Sequence, residues 1–85
     1  MLQAAMINPA QIRAARALIG WKQTDLATAS GVSEMSVKNI ERGVTDPRAS
    51  TLQSLQSALE GAGVVFLDAG HNREGGPGVR LRPQP

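Results

Sequence analysis

Residues 34–39 carry a group of side chains whose chemistry suits recognition by hydrogen bonding rather than bond breaking. They are Glu34, Met35, Ser36, Lys38 and Asn39. Carboxylate, hydroxyl, ammonium and amide groups accept or donate hydrogen bonds, and a thioether packs against apolar surfaces. The whole sequence has no cysteine and a single histidine, and it shows no Ser/His/Asp set, no phosphate-binding loop and no metal-ligand spacing. We therefore expect no enzyme activity, no metal ion and no cofactor.

Two short predicted helices joined by a tight turn position these side chains. The helix after the turn is predicted to begin after Ser33, a favourable N-cap residue, and to stop at Gly43. Its apolar positions recur at helical spacing and are expected to be buried, which leaves the five recognition side chains on the outward face. The helix before the turn is predicted from about residue 23 to residue 30, and Gly31 supplies the positive φ that the turn needs.

Two further helices are predicted, one on each side of this pair. Their start signals are capping boxes, formed by Asn8 with Gln11 in the first helix and by Ser50 with Gln53 in the last. In such a box the N-cap side chain and the side chain three residues later each accept a backbone hydrogen bond. The sequence therefore predicts a mainly α fold with four helices.

The character of the chain changes after the last helix. Residues 64–67 are apolar and mostly β-branched or aromatic, and residues 79–82 alternate apolar and basic side chains, so both are predicted as strands. We expect three segments: an N-terminal extension over 1–7, a helical domain over 8–62 and a strand segment over 63–85.

The pair of central helices resembles the lambda repressor and Cro type of helix-turn-helix, the XRE-like family of bacterial and phage regulators. The similarity covers about residues 9–62. It rests on elements that occur in the family's order: Gln23, Leu26-Ala27, Gly31-Val32-Ser33, Ile40-Glu41 and Gly43. The resemblance implies a lambda-repressor-like four-helix domain that binds double-stranded DNA sequence-specifically, most simply as a repressor.

The resemblance also implies roles for individual residues. The side chains at positions that read base edges are Glu34, Met35, Ser36, Lys38 and Asn39. Those expected to contact DNA phosphates are Lys22, Gln23, Thr24, Thr45 and Arg48. Arg16 and Glu41 correspond to a structural ion pair that joins the first helix to the end of the third. Among the base readers, Asn39 is expected to pair with adenine, Glu34 with cytosine and Met35 with a thymine methyl group.

The strand segment resembles the C-terminal part of small bacterial XRE-like regulators, through Gly63-Val64-Val65-Phe66 and Gly76-Pro77-Gly78-Val79-Arg80-Leu81. A two-stranded hairpin is marginally stable by itself. We therefore expect the strands to form a hairpin or to pair with a second subunit. The dimerisation residues would be Val65, Phe66, Leu67, Val79 and Leu81. A two-fold dimer places its recognition helices about 34 Å apart, which fits an inverted-repeat operator.

A second hypothesis comes from another class of function. An antitoxin-like or adaptor protein carries the same helical domain but serves mainly to bind a partner protein, here through the strand edge or the segment from residue 69 onward. A second regulatory protein thus stays open as a partner. Arg80 and Arg82 are interpreted as protecting an edge strand from aggregation, with DNA contact as the alternative.

The length and net charge of the chain exclude some classes of function but do not identify one. The 85 residues suffice for one domain, and a net charge of +2 permits nucleic-acid binding without indicating it. No stretch approaches the roughly 18 apolar residues that a membrane span requires, and the start shows no signal-peptide pattern. We expect a cytoplasmic location without a membrane partner. Trp21 is expected to be a packing residue, and His71 a solvated loop side chain.

Overall fold

A computed structural model describes residues 6–70 and 74–83 of the chain. The elements in chain order are the helices α1 (Pro9–Ile19), α2 (Gln23–Ser30), α3 (Glu34–Glu41) and α4 (Ala49–Gly61) and the strands β1 (Val64–Leu67) and β2 (Gly78–Leu81). None of the helices in the described part is long and apolar enough to cross a membrane. This mainly α architecture with a short C-terminal hairpin confirms the predicted fold class.

The capping box predicted at the start of α1 is present. The Asn8 side-chain oxygen accepts from the backbone N–H of Gln11 at 2.8 Å, and the Gln11 side-chain oxygen accepts from the backbone N–H of Asn8 at 2.9 Å. Pro9 follows the cap, where its missing N–H costs nothing. The helix ends at Gly20, whose φ of 69° is left-handed. Local sequence therefore fixes both ends of α1.

The turn between α2 and α3 contains Gly31 and Ser33 in their predicted roles. Gly31 has a φ of 76°, a value that residues with a Cβ rarely adopt. Ser33 then caps α3, its hydroxyl oxygen accepting from the backbone N–H of Ser36 at 3.1 Å. The two helices meet in the core through Leu26 and Val37, both fully buried.

The predicted start of α4 is wrong in its cap. Arg48, not Ser50, is the N-cap residue, and it has no side-chain cap hydrogen bond. The carbonyl of Arg48 already accepts from the N–H groups of Thr51 and Leu52, so the helix is under way before Ser50 is in a position to cap it. Ser50 lies inside the first turn, and its carbonyl accepts from the Ser54 hydroxyl at 3.1 Å.

The two strands pair antiparallel within one chain. Their partners are Val64 with Leu81, Val65 with Arg80, Phe66 with Val79 and Leu67 with Gly78. The second strand begins at Gly78, one residue before its predicted start. The pairing continues past the strand ends, because the backbone N–H of Arg82 donates to the carbonyl of Gly63 at 2.8 Å.

Helices and hairpin share one hydrophobic core. Its buried apolar residues are Ile7, Ile12, Ala15, Leu26, Val37, Ile40, Leu55, Leu59 and Val64. Val64 brings β1 into this core at 1% exposure, and Phe66 and Val79 pack against its edge. Burying a side chain of this size contributes about 1.5–3 kcal/mol, so the hairpin is stabilised by the helices rather than by its own pairing alone.

Candidate nucleic-acid interface

The five side chains predicted to read bases lie along the solvent side of α3. Glu34, Met35 and Lys38 are exposed, Met35 to 63%, which is unusual for such an apolar residue. Ser36 and Asn39 are half-buried at the side of the same surface. The opposite side of the helix is buried in the core. We call the five residues 34–36, 38 and 39 the recognition face.

An open cleft of about 370 Å³ runs from the recognition face to the start of α4. Ser36 and Asn39 line it together with Thr45, Asp46 and Arg48. Two predicted phosphate contacts are thus brought next to two predicted base readers. Because α4 has no side-chain cap, its first-turn N–H groups add a partial positive charge beside the guanidinium of Arg48.

The start of α2 is a second place where a cation meets an uncapped helix. Lys22 occupies the N-cap position and is exposed, and its side chain makes no cap hydrogen bond. The backbone N–H of Lys22 donates instead to the Asp25 carboxylate at 2.8 Å, so only one half of a capping box forms. Thr24 is exposed in the first turn. Ammonium and helix terminus together suit an anion.

Gln23 has a partner within the protein that the sequence did not indicate. The side chain is half-buried, and its amide nitrogen donates to the Glu41 carboxylate at 3.1 Å. This bond uses one of the two amide hydrogens, so the second hydrogen is available for a phosphate. The predicted phosphate contact of Gln23 is therefore joined to the predicted ion pair.

The end of α3 is held by a buried ion pair between Arg16 and Glu41. The Nε and Nη2 atoms of Arg16 donate to the two carboxylate oxygens at 2.6 and 2.7 Å, while the Glu41 side chain is only 2% exposed. The hydrogen bond to Glu41 raises the pKa of Arg16 and outweighs the desolvation that lowers it. This parallel two-bond geometry is the strongest form of such a pair.

Two more contacts extend the ion pair into a network around Glu41. Arg16 also donates through Nη1 to the carbonyl of Trp21 at 3.0 Å, and Arg13 donates to the backbone carbonyl of Glu41. Trp21 is half-buried against the core, as predicted for a packing residue. The role of Arg13 was missed. Its spacing of three residues from Arg16, which puts both on one face of α1, was the available signal.

The five predicted dimerisation residues do not lie on one surface. Phe66, Val79 and Leu81 share the face of the hairpin that carries the buried Val64, since paired and alternate residues share a face. Of these, Leu81 stays 40% exposed. Val65 and Leu67 lie on the opposite face and are half-buried. Phe66 and Val79 thus contribute to the protein's own core.

The described residues contain no group of three or more His, Cys, Asp or Glu side chains able to hold a metal ion. His71 lies outside the described residues, as do residues 1–5 of the predicted N-terminal extension and residues 84–85 of the strand segment.

Comparison with known families identifies this arrangement. The family model described as Helix-turn-helix matches residues 12–62, which is more than half of the chain and includes α2, the turn and α3. The chain belongs to the XRE-type helix-turn-helix family. The assignment places the chain in a helix-turn-helix family of transcriptional regulators.

Individual relatives agree with this assignment. The chain is 44% identical over 50 residues to an uncharacterised HTH-type transcriptional regulator of Mycobacterium bovis. It matches two similarly described regulators of Mycobacterium tuberculosis strains, CDC 1551 and H37Rv, to the same extent. The alignment covers 59% of this chain but only 20% of each relative. The chain therefore spans about a fifth of the length of these relatives.

Proposed function

We propose that this chain binds duplex DNA sequence-specifically in the cytoplasm and represses transcription by occupying an operator as a dimer. One observation carries the proposal. The side chains of Glu34, Lys38 and Asn39 lie on the recognition face and make no hydrogen bond within the described part of the chain. Polar groups left without partners on a rigid helix are available for a ligand that offers complementary donors and acceptors.

The major groove of DNA provides that complement. It is about 12 Å wide, accepts an α-helix, and presents a different set of donors and acceptors for each base pair. In the proposed complex the Asn39 amide pairs with adenine, and the Glu34 carboxylate accepts from the cytosine amino group. The exposed Met35 contacts a thymine methyl group, which gives this apolar side chain a buried partner.

Phosphate contacts are proposed at the two uncapped helix starts. The cleft that Thr45 and Arg48 line offers a guanidinium and the N-terminus of α4. The start of α2 offers Lys22, the exposed Thr24 and the second amide hydrogen of Gln23. Contacts of this kind fix the register of the protein on the duplex without reading its sequence. The Glu34 carboxylate and the DNA phosphates have like charges and repel each other, and the cationic contacts offset that repulsion.

A second copy of the chain is proposed to pair along the outer edge of β2. Hydrogen-bonded and non-hydrogen-bonded pairs alternate in an antiparallel ladder. Because Arg82 bonds Gly63 in this ladder, the N–H and C=O groups of Val79 and Leu81 point to the outer edge. The sheet has two strands in the described part of the chain, so this edge has no neighbouring strand. The equivalent edge of β1 starts at Val64, which is buried against the helices.

Selection of DNA sites from random duplexes tests the proposal. We expect the wild-type chain to enrich an inverted repeat whose half-site centres lie about one helical turn apart, roughly 10 base pairs. The variant Leu81→Pro removes an outer-edge N–H and leaves the bonds between β1 and β2 intact. It should be monomeric by light scattering and should enrich single half-sites.

Other results would point elsewhere. Enrichment of no sequence at moderate salt would contradict sequence-specific binding and favour the antitoxin-like or adaptor function, in which the β2 edge takes a strand of another protein. An inverted repeat that persists with Leu81→Pro would contradict pairing through β2 while leaving DNA recognition intact.

A further inference from the structure

Gln11 is a buried polar residue whose hydrogen bonds reach far beyond its own helix. It is 5% exposed, although glutamine is mostly found on protein surfaces. Its side-chain oxygen serves the capping box with Asn8. Its side-chain nitrogen donates to the carbonyl of Leu67 at 3.2 Å and to the carbonyl of Gly78 at 3.0 Å. Both amide hydrogens and the carbonyl oxygen are thus engaged at once.

The two accepting carbonyls belong to one cross-strand pair of the hairpin. Leu67 is the last residue of β1 and Gly78 the first residue of β2, and the two are partners in the ladder. Gln11 therefore attaches both strands to α1 at the end of the hairpin that leads into the connecting loop. Side-chain donors to two adjacent strands restrict rotation of the hairpin about the helix more than an apolar contact does, since hydrogen bonds depend on direction.

The same helix holds the recognition face by a separate set of bonds. Arg13 and Arg16 bind the last residue of α3, Glu41, through its backbone carbonyl and its carboxylate. Gln11 and Arg16 are five residues apart, so their attachments are separated by about 7–8 Å along the axis of α1. The first helix is thus a rigid connection between the hairpin and the recognition helix.

We propose that Gln11 is a positioning residue that sets the angle between the hairpin and α3, and thereby the half-site spacing that a dimer reads. The inference rests on the proposed dimeric DNA binding. With the hairpins of two copies paired, any rotation of a helical domain about its hairpin moves its recognition helix relative to the other. A change of two base pairs in spacing turns one half-site by about 70° around the duplex, so a fixed angle selects a narrow range of spacings.

The decisive variant is Gln11→Glu. Glutamate still accepts from the Asn8 N–H, as in a standard capping box, but its carboxylate has no hydrogen to donate to the carbonyls of Leu67 and Gly78. The matched control is Asn8→Ala, which removes the cap and leaves the donors of Gln11 unchanged. Gln11→Met, similar in length and without charge, is the second variant if the glutamate prevents folding.

The measurement is affinity for a series of inverted repeats that share one half-site and differ in spacing. Wild type and Asn8→Ala are expected to prefer one spacing by about tenfold over its neighbours, the size of effect that a mismatched base pair produces. Gln11→Glu is expected to lose that preference while binding an isolated half-site as wild type does. Backbone amides of Val65 and Arg80 should also exchange hydrogen faster in this variant than in Asn8→Ala.

Different results would overturn the positioning role of Gln11 and the proposed function. If Gln11→Glu or Gln11→Met keeps the wild-type spacing preference, the positioning role is overturned and the proposed function stands. If Asn8→Ala loses the preference to the same extent, the effect is one of general stability and the role is again overturned. If wild type itself binds no DNA, the proposed function fails, and hydrogen exchange of the hairpin amides still decides whether Gln11 holds the hairpin.

Discussion

The two ends of the recognition helix α3 are built in different ways. At its start the cap hydrogen bond is local: the Ser33 hydroxyl accepts from the Ser36 N–H, and the next residues, Glu34 and Met35, are exposed. At its end the Glu41 side chain is 2% exposed and accepts hydrogen bonds from Arg16 and Gln23. One end is open to a ligand, and the other is fixed by residues from two other helices.

The difference shows how a small domain presents a rigid surface. The start of α3 cannot be packed against the protein if it is to enter a groove, so its orientation has to be set from the other end. A buried carboxylate costs free energy unless it is paired, and here the pairing partners come from α1 and α2. The network around Glu41 thus orients α3 from its C-terminal end, while the recognition face stays exposed.

The largest expected effect comes from breaking the fixed end. Arg16→Ala leaves the buried Glu41 carboxylate with a single side-chain donor, Gln23, and should lower the free energy of unfolding by about 3 kcal/mol. This is the lower end of the range for buried pairs, because the Arg16 side chain is 20% exposed and water reaches it. Urea denaturation measures the loss.

The matched control for this variant is Arg42→Ala, which removes an exposed arginine next to Glu41. It should change the free energy of unfolding by less than about 0.5 kcal/mol. Equal losses in the two variants would mean that the Glu41 network does not support α3 more than any neighbouring charge does.

An intermediate effect is expected at the open end, and on binding rather than stability. Asn39→Ala should cost about 1–3 kcal/mol in affinity for the selected operator and relax base preference at one position per half-site. Because the Asn39 side chain makes no hydrogen bond within the described residues, its removal should leave the unfolding midpoint nearly unchanged. Competition binding with single-base operator variants measures the effect, and a uniform loss across all bases would contradict a reading role.

The smallest effect is expected at Lys22, where stability and affinity should move in opposite directions. Lys22→Ser introduces an N-cap hydroxyl and should stabilise the protein by about 0.5–1 kcal/mol. It also removes a cation, so DNA binding should weaken for all sequences, and the slope of affinity against salt should fall by about 1. DNA titrations at several salt concentrations measure the affinity and its salt slope, and urea denaturation measures the change in stability. Lys22→Ala is the control and should show the weakening without the gain in stability; an unchanged salt slope would exclude a phosphate contact.

Local sequence predicted the helices well where a single residue sets a boundary. Asn8, Gly31 and Ser33 act through bonds or dihedral angles within a few residues, and each was found in its predicted role. The prediction for the start of α4 was wrong because a capping-box spacing occurs inside the first turn of the helix. Ser50 and Gln53 have the spacing of a capping box, but the chain becomes helical two residues earlier, with Arg48 as the cap.

The long-range polar contacts were only partly accessible to sequence reasoning. Resemblance to a family pointed to Arg16 and Glu41, but the side-chain bonds of Gln11 to Leu67 and Gly78 join residues 56 and 67 positions apart. A glutamine at the third position of a helix is fully explained as part of a capping box. Its second role has no local signal, because the carbonyls it meets arrive from the far end of the chain.

The sequence by itself determined the order and type of the helices, the turn at Gly31 and the side chains on the recognition face. These follow from hydrogen bonds and apolar spacing within one or two helical turns. Only the tertiary structure decided that Glu41 is a shared anchor for Arg16 and Gln23, and that Gln11 holds the hairpin on α1. Those contacts depend on how elements distant in sequence pack, and a core that excludes water makes their polar partners obligatory.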